Sequence, residues 1–195
     1  MTATRPARRA TPRLSTRDLL VCAVFATAGA LLVIAISPVT GVLAVVSPLA
    51  YAAVASVSAT GTLLAVRWTR APGAAVVTAL TAGLIAAAFT PFAAITLGAL
   101  LLPALAMELA FAACRYRFER RRTWVIGPAA GGLAIGVASL PIINPTLLTP
   151  GFIAAVIAIR IVAYIGAGAL SAVVFAGLQR AGIRPPRKSQ PGIRR

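Results

Sequence analysis

Long apolar runs alternate with short polar or proline-rich breaks along most of this chain. Residues 18–37, DLLVCAVFATAGALLVIAIS, form the first run, closed by Pro38. A second lies within 43–66 and ends at Arg67; RWTRAPG at 67–73 reads as a turn. Further runs cover 74–90, closed by Pro91, then about 94–114, ended by CRYRFERRR. The last two cover 124–143 and 152–179, separated by the proline-rich loop at 143–151. Each is near or above the roughly 17–25 apolar residues that carry a helix across a bilayer. The pattern predicts an all-α fold, a polytopic membrane bundle of six transmembrane helices. The segments outside the bundle, 1–17 and 180–195, are rich in arginine and proline without apolar periodicity, and read as disordered basic tails flanking a transmembrane domain at 18–179. The first apolar run is too long for the h-region of a cleaved signal peptide, which spans roughly 7–15 residues.

Composition agrees with the pattern. Of 195 residues, 59% are hydrophobic and 11% charged, where soluble domains average roughly 45–50% and 25%. Net charge is +16, which alone would point to nucleic acid or an anionic surface. The positions of the charges decide otherwise. Five arginines precede the first span. Arg67 and Arg70 fall between the second and third, five more between the fourth and fifth, and six basic residues follow the sixth. Of the 19 basic residues only Arg160 lies elsewhere. Cytoplasmic loops retain positive charge, so every second loop is placed inside, with both termini cytoplasmic. That is a multi-pass protein of the cell (plasma) membrane, embedded in the lipid bilayer, with no nucleic-acid partner.

The chain has no histidine and two cysteines, Cys22 and Cys114. Serine–histidine and cysteine–histidine catalysis are excluded, and no metal-ligand motif is present. The only acids are Asp18, Glu108 and Glu119, too few and too scattered for a carboxylate pair. No catalytic residue and no metal ligand is expected; the chain reads as a non-enzyme.

Two ionisable residues fall within spans. Glu108 lies in the fourth, near its basic end, and Arg160 in the sixth, toward the opposite end. Charges inside a bilayer are costly and mark candidate functional sites. Glu108 could also serve the Arg115–Arg117 cluster, and Arg160 could snorkel outward. Tyr164 sits one turn from Arg160 on the same face, and Asn144 and Thr146 lie in the loop after the fifth span. A cation, a phenol and an amide converging in the outer half of the bundle would hold a small polar ligand. Small residues four apart permit close helix contact in lipid. Cys22, Ala26 and Ala30 make such a face on span one, as do Gly132 and Gly136 in span five and Gly168 and Ala172 in span six. Each would serve either internal packing or a partner.

Arg70, Pro72, Gly73 and Ala74 in the turn between spans two and three, and Glu108, Phe111, Arg115, Tyr116 and Arg117 at the end of span four, carry a family resemblance. Together with Thr16-Arg17-Asp18, Gly168-Ala169-Leu170 and Arg180-Ala181-Gly182, they make the chain resemble the substrate-binding (S) components of energy-coupling factor (ECF) transporters. The likeness is to the branch associated with thiamine and its hydroxymethylpyrimidine precursor. The stretch Pro103–Met107 departs from that branch, which carries a glutamine and glycines before the glutamate. The resemblance implies a vitamin- or precursor-binding subunit that works with a transmembrane coupling (T) protein and two ABC-type ATPases. It implies no cofactor on this chain, with ATP used only by the partners; no Walker motif is present. It further implies Glu108 as a ligand contact, the Cys22–Ala26–Ala30 face as the docking surface for the coupling protein, and toppling of the whole subunit to release its cargo. Two other readings fit the same spans: a structural or assembly subunit without a ligand, and a small secondary transporter.

Overall fold

The computed structural model describes residues 14–90, 93–142 and 149–183. The chain forms α1 (Thr16–Val46), α2 (Pro48–Ala55), α3 (Ala59–Thr69), α4 (Ala74–Phe89), α5 (Ala93–Ala113), α6 (Thr123–Ser139) and α7 (Pro150–Arg180). A 3-10 turn at Ser56–Ser58 joins α2 to α3, so these two make one span. Six helical spans result, as expected. Four are long and apolar enough to cross a membrane, while α4 and α6 are shorter apolar helices of 16 and 17 residues.

Two boundaries differ from the sequence reading. Pro38 does not stop the first helix, which runs on to Val46. A proline inside a helix forfeits one backbone hydrogen bond, and membrane helices tolerate that. The break comes at Ser47, whose extended backbone (φ −151°, ψ 91°) suits a residue preceding proline. The Ser47 hydroxyl accepts from the Ala50 amide at 3.4 Å, and Pro48 occupies the first turn of α2. The second difference is Arg67, expected in a loop but placed in the last turn of α3. The reversal into α4 is confined to 70–73, with Arg70 (φ 46°) and Gly73 (φ 84°) both left-handed. The first helix starts from a capping box in which Ser15 and Asp18 satisfy each other's backbone amides.

The spans close into a ring in the spatial order α1, α4, α5, α6, α7, α3 and back to α1. Its helix seams are lined by small residues, with Leu63, Val66, Met107, Phe111 and Val156 filling the core between them. Cys22, Ala26 and Ala30 of α1 are fully buried against α4, where Ala74, Ala82 and Ala86 face them. This corrects the expectation that the small face of span one is an external docking surface: it is an internal seam. Where α1 meets α3, a Cβ on Gly61 would stand 3.1 Å from the Phe25 carbonyl oxygen. Where α6 meets α7, a Cβ on Gly132 would stand 2.7 Å from the Arg160 carbonyl oxygen. The second contact requires the missing side chain, and the first is tighter than a Cβ ordinarily makes. Outside the ring, Leu20, Val24, Leu31, Val42, Leu84, Leu109, Val162 and Val173 are all more than half exposed. Small residues at the helix seams, with many large apolar side chains left exposed around the ring, fit a lipid surround.

Candidate ligand-binding site

Two polar groups interrupt this apolar bundle, one at the basic end and one in the interior. At the basic end, Glu108 reaches across from α5 to the reversal between α3 and α4. Its Oε1 accepts from the Gly73 amide at 2.6 Å and from the Tyr116 hydroxyl at 2.9 Å. Gly73 is the N-cap of α4 and has no side chain to cap it. The carboxylate therefore supplies both an acceptor for an unpaired amide and a negative charge at the positive end of α4. Tyr116 is placed by a left-handed turn in which Arg115 (φ 53°) and Tyr116 (φ 52°) follow the end of α5. Burial, the hydrogen bond to Glu108 and that residue's charge together push the Tyr116 phenol up to about 12, so it remains a donor throughout the physiological range.

A second tie lies beside this one. Arg67 donates from Nε to the Ser171 hydroxyl at 2.9 Å and from Nη2 to the Gly168 carbonyl at 3.0 Å. Its guanidinium lies 3.9 Å from the centroid of the Trp124 ring. One side chain of α3 thus binds α7 and α6 at once. Trp124 is held in turn by a bond from its ring nitrogen to the Phe118 carbonyl at 2.9 Å, within a cluster that includes Phe111. These contacts join the ring where the basic loops converge.

The interior group is different in kind. The buried stripe of α7 runs through Val156, Arg160, Tyr164, Gly168 and Ser171. Arg160 is 4% exposed and Tyr164 is 3% exposed. The Arg160 guanidinium lies 5.1 Å from the centroid of the Tyr51 ring on α2. Its Nε is buried and has no hydrogen-bond partner among the described residues. The Thr60 hydroxyl on α3 is likewise buried and unpartnered. Thr60, Leu64 and Arg67 share one helical face by their spacing, and Arg67 marks that face as the one toward α7. Tyr51 meets Arg160, and Arg67 meets Ser171, so α2–α3 and α7 run in the same direction. Seven residues back from Arg67 and from Ser171, roughly 10 Å in each case, stand Thr60 and Tyr164. Thr60 is therefore placed near the level of Tyr164, on the face of α3 toward α7, one turn of α7 from Arg160.

Of the residues expected to bind ligand, Arg160 and Tyr164 come together in this interior. Glu108 does not join them: its contacts are Gly73 and Tyr116, near the opposite end of the bundle. Asn144 and Thr146 lie outside the described residues. Tyr51 and Thr60 did not stand out from sequence; the stripe from Thr60 to Arg67 was the available signal, hidden by the assignment of Arg67 to a loop. Gly132 and Gly136 frame the site, since a Cβ on Gly136 would stand 3.5 Å from the Arg160 Cβ. Their spacing was visible, but not which helix they admit.

Residues 17–138 match the family described as ABC-type cobalt transport system, permease component. The chain belongs to this family. Its fold is that of a solved protein described as an S-component of an ECF transporter, with a TM-score of 0.80 over 88% of each chain at 20% identity. No curated protein sequence gives a significant match. Family and fold together make the chain a multi-pass membrane protein of a transport family, and not a member of an enzyme family.

Proposed function

We propose that this chain is the membrane-embedded substrate-binding component of an ATP-driven uptake transporter of the ECF type. The observation that carries the reading is the match in fold over nearly the whole of both chains. The interior group of Arg160, Tyr164, Tyr51 and Thr60 supports it, because it offers polar atoms without partners inside a closed ring of helices. On this reading the basic loops face the cytoplasm of the cell that imports the cargo, and the plasma membrane holds the subunit. A transmembrane coupling protein and two ABC-type ATPases supply the work. The buried Cys22–Ala26–Ala30 face cannot be the surface that meets the coupling protein in this conformation.

The cargo is a small organic molecule of the vitamin or vitamin-precursor class. The family description names cobalt, but divalent cobalt is held by imidazole, thiolate or carboxylate donors. This sequence has no histidine, and Glu108, the acid deepest in a span, is engaged at the basic end. The likeness to the hydroxymethylpyrimidine branch rests on Glu108 and its neighbours at the basic end, and the member of the vitamin class is chosen elsewhere in the bundle. In this account Glu108 acts in architecture and Arg160 in binding.

The reading is tested by co-expressing the chain with a coupling protein and ATPase pair from the same genome. A stable four-subunit complex that accumulates a labelled vitamin only when its ATPases are intact is expected. A chain that purifies alone, with no uptake dependent on those partners, would sink it.

A further inference from the structure

Among the described residues Arg160 is the one basic residue away from the basic end of the bundle, and its side chain is buried among apolar helices. A guanidinium stays protonated in proteins, so it brings a full positive charge into the bundle. Such a charge is retained only with compensation. The Tyr51 ring covers it from 5.1 Å, while the Nε edge faces no acceptor among the described residues.

No carboxylate side chain in the protein meets it. There are three acids in the whole sequence. Asp18 caps the start of α1, Glu108 holds Gly73 and Tyr116, and Glu119 lies exposed in the arginine-rich loop. All three belong to the basic end. Arg160 lies 20 residues, about 30 Å of helix, from Arg180 at the basic end of α7. No acidic side chain of the protein supplies the counter-charge, and the described residues place no other anion at Arg160, which leaves it to a bound group. A guanidinium presents its Nε and a neighbouring Nη as a fork that matches the two oxygens of a carboxylate or phosphate, and here the Nε arm has no partner among the described residues.

We infer that the cargo carries an oxyanion, carboxylate or phosphate, which binds the Nε edge of Arg160 between α2, α6 and α7, with Tyr51 and Tyr164 beside it. The inference rests on the substrate-binding reading above and narrows its cargo. It sets that cargo apart from a bare metal cation and from cationic thiamine.

The test uses the full chain in detergent and follows its melting midpoint. The probes are matched pairs, benzoate against benzamide and nicotinate against nicotinamide, with inorganic phosphate, thiamine, cobalt chloride and phosphatidylglycerol alongside. The variants are Arg160→Met, which keeps the stem that packs against Gly136, and Arg160→Lys. We expect at least one water-soluble anion to raise the wild-type midpoint by about 5 °C at a hundredfold excess over its Kd. Its neutral partner should not. Arg160→Met should melt at or above the wild-type midpoint, relieved of an uncompensated charge, and lose the anion response. Arg160→Lys should retain part of it.

No anion response in the wild type overturns the proposal, as does an Arg160→Met protein that melts lower and still responds. Stabilisation by phosphatidylglycerol alone would assign the cation to a lipid headgroup and overturn the cargo assignment. A response to thiamine or cobalt that survives Arg160→Met would overturn the oxyanion while leaving the substrate-binding reading intact. That reading fails separately, by the co-expression test, which does not involve Arg160.

Discussion

The basic end and the interior of this bundle hold comparable polar side chains and treat them in opposite ways. At the basic end Arg67 has a hydroxyl, a carbonyl and an indole face, and Glu108 has an amide and a phenol. In the interior Arg160 has a tyrosine ring and an Nε with no partner among the described residues, and Thr60 has an unpartnered hydroxyl. A buried polar group that is satisfied stabilises and orients; one left open costs stability and is kept where a ligand completes it. On the proposed function, the difference separates architecture from binding inside one ring of helices.

Substitutions at four positions sharpen the contrast. The largest effect is expected for Gly132→Val, because its Cβ would meet the α7 backbone at 2.7 and 2.8 Å. Overpacking there should cost about 3 kcal/mol or more and displace Arg160 with it; a melt unchanged from wild type would show that α6 and α7 do not meet this closely. Arg67→Ala removes two hydrogen bonds and the contact with Trp124, and should lower stability by about 2–3 kcal/mol. Arg67→Lys should recover only part of this, since an ammonium cannot fork between Ser171 and Gly168.

Glu108→Gln keeps an acceptor for Gly73 and removes the charge at the start of α4. A loss of about 1–2 kcal/mol is expected by denaturant titration, with ligand response unchanged. The smallest change is Tyr116→Phe. The folded phenol lies above its unfolded value, so its contribution is fully present below about pH 10 and fades as pH rises toward about 12. Wild type should lose stability relative to Tyr116→Phe across that window, and parallel pH profiles would show that the hydroxyl does not hold Glu108.

The spans were legible because apolar length and the arginine clusters are properties of continuous sequence, and they survive the exchange of Pro38 for Ser47-Pro48 as the first break. Arg160 and Tyr164 were legible for the same reason: a charge and a phenol one turn apart in an apolar run announce themselves. What sequence could not supply is which face meets which helix. Cys22, Ala26 and Ala30 read equally as a seam or a docking surface, and only their burial against α4 decides. Glu108 looked like a ligand contact until Gly73, 35 residues earlier, was seen to donate to it. Tyr51 gave no signal, since its partner lies 109 positions away across the ring.

The most direct measurement is a crossed melting experiment on wild type, Arg160→Met and Glu108→Gln, with and without the stabilising ligand. The account predicts that Glu108→Gln melts lower and keeps the full ligand shift, while Arg160→Met keeps its midpoint and loses the shift. The reverse pattern, with binding lost at Glu108 and stability lost at Arg160, would contradict the division between a structural basic end and a binding interior.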